Sequence, residues 1–185
     1  MPKPSMSAWS VGLWVVAMTL AACGGATPAA PGTAPADDRV LFVHLGDLAR
    51  QRIQEATPGA ALHQVDVLPG DGRYTFRFVD PASSRVVSAS GSISAKAPAD
   101  FSVTTEALGT LAVPPTTPID LATLRVGPDG IVAAAVQALG AATPRTLVLS
   151  RQDGRLVWRA VVNGPQGIVS GTVADETGRF VPDAR

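Results

Sequence analysis

The triplet Asp71-Gly72-Arg73 returns 82 residues later as Asp153-Gly154-Arg155, and its surroundings return with it. At the same spacing Arg77 meets Arg159, Val79 meets Val161, Val87 meets Val169 and Ser88 meets Ser170. Phe76 faces Trp158, Val65 faces Leu147 and Asp47 faces Asp129. DGRYTFRFV aligns with DGRLVWRAV, and RVVSAS with GIVSGT, without a gap. Two alternating strands match by chance at their apolar positions. Chance does not supply two Asp-Gly-Arg turns, a paired arginine and a constant spacing. The chain carries an internal duplication, so whatever the first copy forms the second should form too.

Each copy reads as a helix followed by strands. Asp47 is placed to cap a helix over residues 48–56, which Pro58-Gly59 stops. Asp129 opens the counterpart over 131–139, ended by Gly140. This second helix is apolar nearly all round and calls for burial against a sheet or the other copy. Residues 64–68 and 73–79 then flank Gly70-Asp71-Gly72, and Asp-Gly between alternating runs is a strong hairpin signal. Along the second strand Tyr74, Phe76 and Phe78 share one face, while Arg73, Thr75 and Arg77 share the other. In the later copy Leu156, Trp158 and Ala160 belong to the core, and Arg155 and Arg159 point away. Third strands run near 85–93 and 168–174. Pro114, Pro115 and Pro118 interrupt both helix and ladder between the copies. The reading predicts an α+β protein of two tandem units, each a helix packed on a small antiparallel β-sheet. They span residues 39–113 and 119–185, joined by a Pro-rich linker at 114–118.

A helix ending in Pro-Gly, then antiparallel strands joined by Asp-Gly turns, resembles the PepSY module. The tail Val173-Ala174-Asp175-Glu176-Thr177-Gly178-Arg179-Phe180-Val181 is similar to that family's closing strand and turn. Asp80 to Val87 is a looser echo, with Ser84 where the turn glycine would stand. The resemblance implies a non-catalytic module of the bacterial envelope, relatives of which occur in propeptides of secreted metalloproteases. It carries over no catalytic residue.

The first 22 residues have another purpose. Lys3 and the terminal amine precede an uncharged apolar run from Ala8 to Thr19, which ends in Leu20-Ala21-Ala22-Cys23-Gly24. A charged start, a short apolar stretch and small residues at a cut site make a secretory signal over 1–22. Leu20-Ala21-Ala22-Cys23 resembles the lipobox of bacterial lipoproteins. The resemblance implies that the Cys23 thiol takes a diacylglyceryl group and that the signal is removed before it. Each buried CH₂ holds such an anchor by roughly 0.8 kcal/mol, so more than one acyl chain is needed for a lasting hold. Gly24, standing where Asp would retain an enterobacterial lipoprotein in the inner membrane, implies the outer membrane, with the folded part facing the periplasm. Residues 23–38 then form the lipidated cysteine and a Pro/Ala-rich tether, with no large apolar residue to offset its ordering entropy.

Charge and residue inventory limit the chemistry. Fifteen cationic and fifteen acidic residues are scattered without blocks, which argues against nucleic acid as a partner. Cys23 is the only cysteine, so an intrachain disulfide and a Cys-rich metal site are excluded. His44 and His63 are the only histidines. His44-x-x-Asp47 could bring two ligands together, but neither histidine has the further ligands that zinc or copper requires, and no metal or cofactor is expected. No Gly-x-Ser-x-Gly elbow or phosphate loop occurs, so no enzyme is expected. Arg73, Arg77, Arg155 and Arg159 are the candidate binding residues, as two short cationic rows for a carboxylate-bearing envelope protein or anionic polymer. The function expected is a periplasmic binding, inhibitory or chaperone-like lipoprotein. A structural accessory of outer-membrane or cell-wall assembly is the alternative.

Overall fold

The structure is a computed structural model that describes residues 36–113, 115 and 117–184. The signal segment, Cys23 and the tether through residue 35 lie outside the described residues. Helix α1 (Ala36–Gln54) leads into β1 (Ala61–Leu68), β2 (Arg73–Asp80), β3 (Arg85–Ser92) and β4 (Ser102–Glu106). Helix α2 (Pro128–Leu139) leads into β5 (Thr143–Gln152), β6 (Arg155–Gly164), β7 (Gly167–Ala174) and β8 (Phe180–Pro182).

The expected pair of tandem helix-on-sheet units is not what these elements build. All eight strands join one antiparallel sheet in the order β4-β3-β2-β1-β5-β6-β7-β8, and one core runs through both halves. The physical reason lies in β1 and β5. Each is the first strand of its half and would otherwise present an open row of backbone donors and acceptors beside buried apolar side chains. Pairing β1 with β5 closes both edges at once. Phe42 of α1 ties the halves further, with its ring 6.0 Å from Phe76 and 5.5 Å from Trp158.

Asp66 stands opposite Val148, the residue 82 places after it. A position facing its own counterpart is what a two-fold axis through that pair produces. The halves are therefore related by an approximate dyad at the sheet's centre. Both also carry a bulge at matching places, past Leu62 in β1 and past Pro144 in β5.

One strand breaks the symmetry. In the first half, four residues join β1 to β2, with Leu68 opposite Arg73 and Gly72 closing the turn at φ 58°. In the second half, Asp153 and Gly154 alone make the turn, at φ 49° and 77°, with Gln152 opposite Arg155. Positive φ at both residues marks the tight turn that suits a twisted hairpin. The next connection shortens in the same way: Asp80 opposes Arg85, but Gly164 opposes Gly167. Strand β6 therefore sits two residues out of step with β2. Thr75 opposes Asp66, whereas Arg159 opposes Val148. An even slip keeps every side chain on its face. Accordingly Tyr74, Phe76, Phe78, Leu156, Trp158 and Ala160 are all buried beneath the helices.

Helix α1 begins at Ala36, well before the expected start. Asp47 lies inside it and reaches Arg50 at 3.8 Å rather than capping. Phe42, Leu45, Ala49 and Ile53 are its buried stripe. Helix α2 buries one side only, through Ile131, Ala134 and Ala135, and leaves Val136 exposed. Its start is capped from the other half. The Asp38 carboxylate accepts the Asp129 backbone N–H at 2.9 Å, passing where a side chain at Gly127 would collide with it. Burial, with the charge of Asp129, raises the Asp38 pKa despite that hydrogen bond. Burial and both carboxylates push the Tyr74 phenol up to about 12.

Candidate functional site

The sheet face away from the helices carries the four arginines. On β2 Arg77 is held between two carboxylates: Nε donates to Asp66, and Nη1 donates to Glu106 of β4 at 2.6 Å. The network continues through the buried Gln64, which donates to Asp66 and accepts the Ala112 backbone N–H at 2.7 Å. Ala112 belongs to the connection between the halves, which lies over this face with Leu111 buried. Burial raises the Glu106 pKa, but the hydrogen bond and charge of Arg77 outweigh it and leave the carboxyl below its ordinary value. The Arg77 side chain is 19% exposed and engaged by both carboxylates.

Arg159 is placed differently. It is 56% exposed and meets Asp183 at 3.2 Å, a carboxylate that the Ser170 hydroxyl also reaches at 2.6 Å. The second half has Val148 where the first half has the Asp66 carboxylate, and the slip of β6 sets Arg159 directly across from it. Arg73 and Arg155 are both exposed, and among the described residues neither has a carboxylate within 4 Å. The dyad sends them to opposite ends of the sheet. The face is therefore one locked arginine, one lightly paired arginine and two free ones far apart.

The histidines do not converge. His44 is exposed on α1, and His63 sits half-buried at the bulge of β1, where burial lowers its pKa. No group of three metal-ligating side chains occurs among the described residues. Within β3, Ser90 pairs with Thr75 at 2.9 Å, a cross-strand hydroxyl contact.

Two recesses are lined mostly by residues other than the four candidate arginines. A cleft of about 330 Å³ lies between the end of α2 and the β7–β8 edge, lined by Leu139, Pro165, Val169 and Pro182. A smaller one of about 180 Å³ lies beside the Asp153-Gly154 turn, where Arg125 and Arg151 join Arg155. Its floor is organised by Asp175, a buried carboxylate that accepts backbone N–H groups of Arg125 and Val126 at 2.8–3.0 Å. Arg125 and Arg151 come from a loop and a strand end that no spacing rule connects. Asp175 was visible only as part of the Asp-x-Thr-Gly tail.

No family model and no curated protein matches the chain. A solved structure described as a "putative lipoprotein" from Clostridium difficile 630 is similar in fold, with a TM-score of 0.54 at 13% identity. The likeness covers 72% of this chain and 87% of that one. At this identity the two share a fold. No helix among the described residues is long and apolar enough to cross a membrane.

Proposed function

We propose that the protein is a non-catalytic lipoprotein of the bacterial envelope that captures a partner in the periplasm. The observation that carries this is Leu20-Ala21-Ala22-Cys23, set behind an apolar run and using the chain's only cysteine. The fold shared with a structure described as a putative lipoprotein supports it. So do the PepSY-like Asp-Gly and Thr-Gly turns. Lipid on Cys23 holds the chain to the membrane, and Gly24 favours the outer membrane over the inner. The Pro/Ala-rich tether sets the sheet off the bilayer. Changing Cys23→Ser is expected to abolish labelling by a fatty-acid probe and to leave an unprocessed precursor. Equal labelling of the mutant would sink the anchor.

The exposed arginines of the outer face supply the capture surface. Arg155 and Arg159 lie four residues apart on β6, roughly 13 Å at about 3.3 Å of rise per residue. That exceeds the ~8 Å Debye length at physiological salt, so each acts alone unless the partner spans both. Crosslinking in native membranes should retrieve one dominant envelope partner. Reversing Arg155→Glu and Arg159→Glu together should remove it, and added salt should weaken it. Capture indifferent to both changes rules this face out.

A further inference from the structure

We infer that the recess beside the Asp153-Gly154 turn is a binding site for a phosphate-type oxyanion. This goes beyond capture of a partner on the outer face, with which it shares only Arg155. The case starts from Arg151. Its Nε donates to the Pro118 carbonyl at 3.1 Å and its Nη1 donates to the Gly154 carbonyl at 2.6 Å. Two neutral acceptors therefore fix the guanidinium plane, and no carboxylate among the described residues lies within 4 Å to neutralise it. A guanidinium has five N–H donors, so three remain. A cation immobilised by carbonyls and left unpaired has already lost the rotamer freedom that binding would otherwise remove.

The surroundings select the ligand. Arg125 and Arg155 line the same recess of about 180 Å³, a volume suited to one small anionic group. Asp175 is occupied by backbone N–H groups, and Glu176 is exposed at the margin. Three arginines against these two carboxylates leave a formal charge of +1 on the lining. A planar carboxylate fills one fork. A tetrahedral phosphate offers acceptors in several directions and can take the free N–H donors of Arg151 together with other donors of the lining. The chemistry is shared by a lipid headgroup phosphodiester and by free phosphate.

The site belongs to the second half alone. It depends on the two-residue turn, which presents the Gly154 carbonyl to Arg151. Eighty-two residues earlier, Arg151 corresponds to Pro69 and Arg125 to Val43, neither of which can bind an anion through its side chain.

The test is a titration of the full chain in a non-ionic maltoside detergent at constant ionic strength, followed by the amide signals of Gly154, Arg155 and Leu156. The probes are inorganic phosphate, glycerophosphoglycerol as a soluble headgroup diester, and acetate. Saturable shifts are expected with a phosphate probe, weakened at least tenfold by Arg151→Gln and in part by Arg151→Lys. Arg125→Gln, whose side chain makes no hydrogen bond among the described residues, provides a second variant should the first fail to fold. It should weaken binding as well. Tighter binding of the diester assigns a lipid headgroup, and tighter binding of inorganic phosphate assigns the free ion. The inference is overturned if neither phosphate probe saturates, if acetate binds as tightly, or if folded variants bind as the parent does.

Discussion

The two halves of the sheet use nearly the same words to different ends. The first closes its hairpins with four-residue connections and locks Arg77 between Asp66 and Glu106. The second closes them with two-residue turns, leaves Arg159 at the surface and gains a recess lined by Arg125, Arg151 and Arg155. A repeat that is gapless in sequence is therefore not gapless in space. One strand slid by two, and its partners changed while its faces did not.

The largest effects should be shared by the halves. Phe76 and Trp158 are both fully buried, and the Trp158 indole N–H also donates to the Val126 carbonyl at 3.0 Å. Phe76→Ala and Trp158→Ala should each cost about 3–5 kcal/mol in urea unfolding. A loss under ~1 kcal/mol for either would break the idea of one core serving both halves.

The arginines should separate the halves. Arg77→Ala strands two carboxylates and should cost about 2 kcal/mol, from charge-assisted hydrogen bonds worth about 1.5–3 kcal/mol each, reduced for partial exposure. Arg159→Ala, largely exposed, should stay within ~0.5 kcal/mol. Acid sharpens the contrast. The Glu106 pKa is depressed in the folded state, so its contribution is present above its ordinary value of 4.5 and lost as pH falls through the folded value. The stability gap between the parent and Arg77→Ala should narrow below that point. A gap independent of pH would mean that Arg77 acts through packing rather than charge.

The turns come next. Gly154 has φ 77°, and Gly154→Ala should cost about 1–2 kcal/mol, the usual penalty for a Cβ in a left-handed conformation. Gly70, with nothing within 4 Å of an added Cβ, should accept Ala with a change under ~0.5 kcal/mol. Equal costs would show that turn geometry is not what sets the two registers.

The cap that links the halves should respond less than the core aromatics or Arg77. Asp38→Ala should cost about 1 kcal/mol by removing the acceptor for the Asp129 N–H. Asp38→Asn keeps an acceptor and should be near neutral. Because the Asp38 pKa is raised, its contribution is fullest below the ordinary value of 3.8 and declines as pH rises through the folded one. The Asn variant should lose that slope in a pH series of melting temperatures.

Strand faces were legible because alternation is a local signal: Tyr74, Phe76 and Phe78 on one side need no partner to be read. The start of α1 was not, since Asp47 before an apolar run imitates a cap, while the true start lies in an Ala-rich stretch with no apolar period. Whether the copies share a sheet depends on which edges meet, and β1 carries no residue that announces β5 as its neighbour. The slip was hidden because Asp-Gly serves a four-residue connection as well as a two-residue turn. Arg77 gave no sign of Glu106, 29 residues away and two strands over. The recess was hidden for the same reason, as Arg125 and Arg151 meet only once the chain between the halves has crossed the sheet.

The even slip of β6 also bears on how such a protein can change over time. A duplicated hairpin that trades one loop residue for one strand residue turns its apolar side chains toward water, and that intermediate would be lost. Trading two at once leaves inside and outside as they were. Copies born identical can thus diverge in quantised steps, each a viable protein, with new neighbours for the same side chains at every step. An arginine that began as a brace can be released in one copy while the other still holds the sheet together.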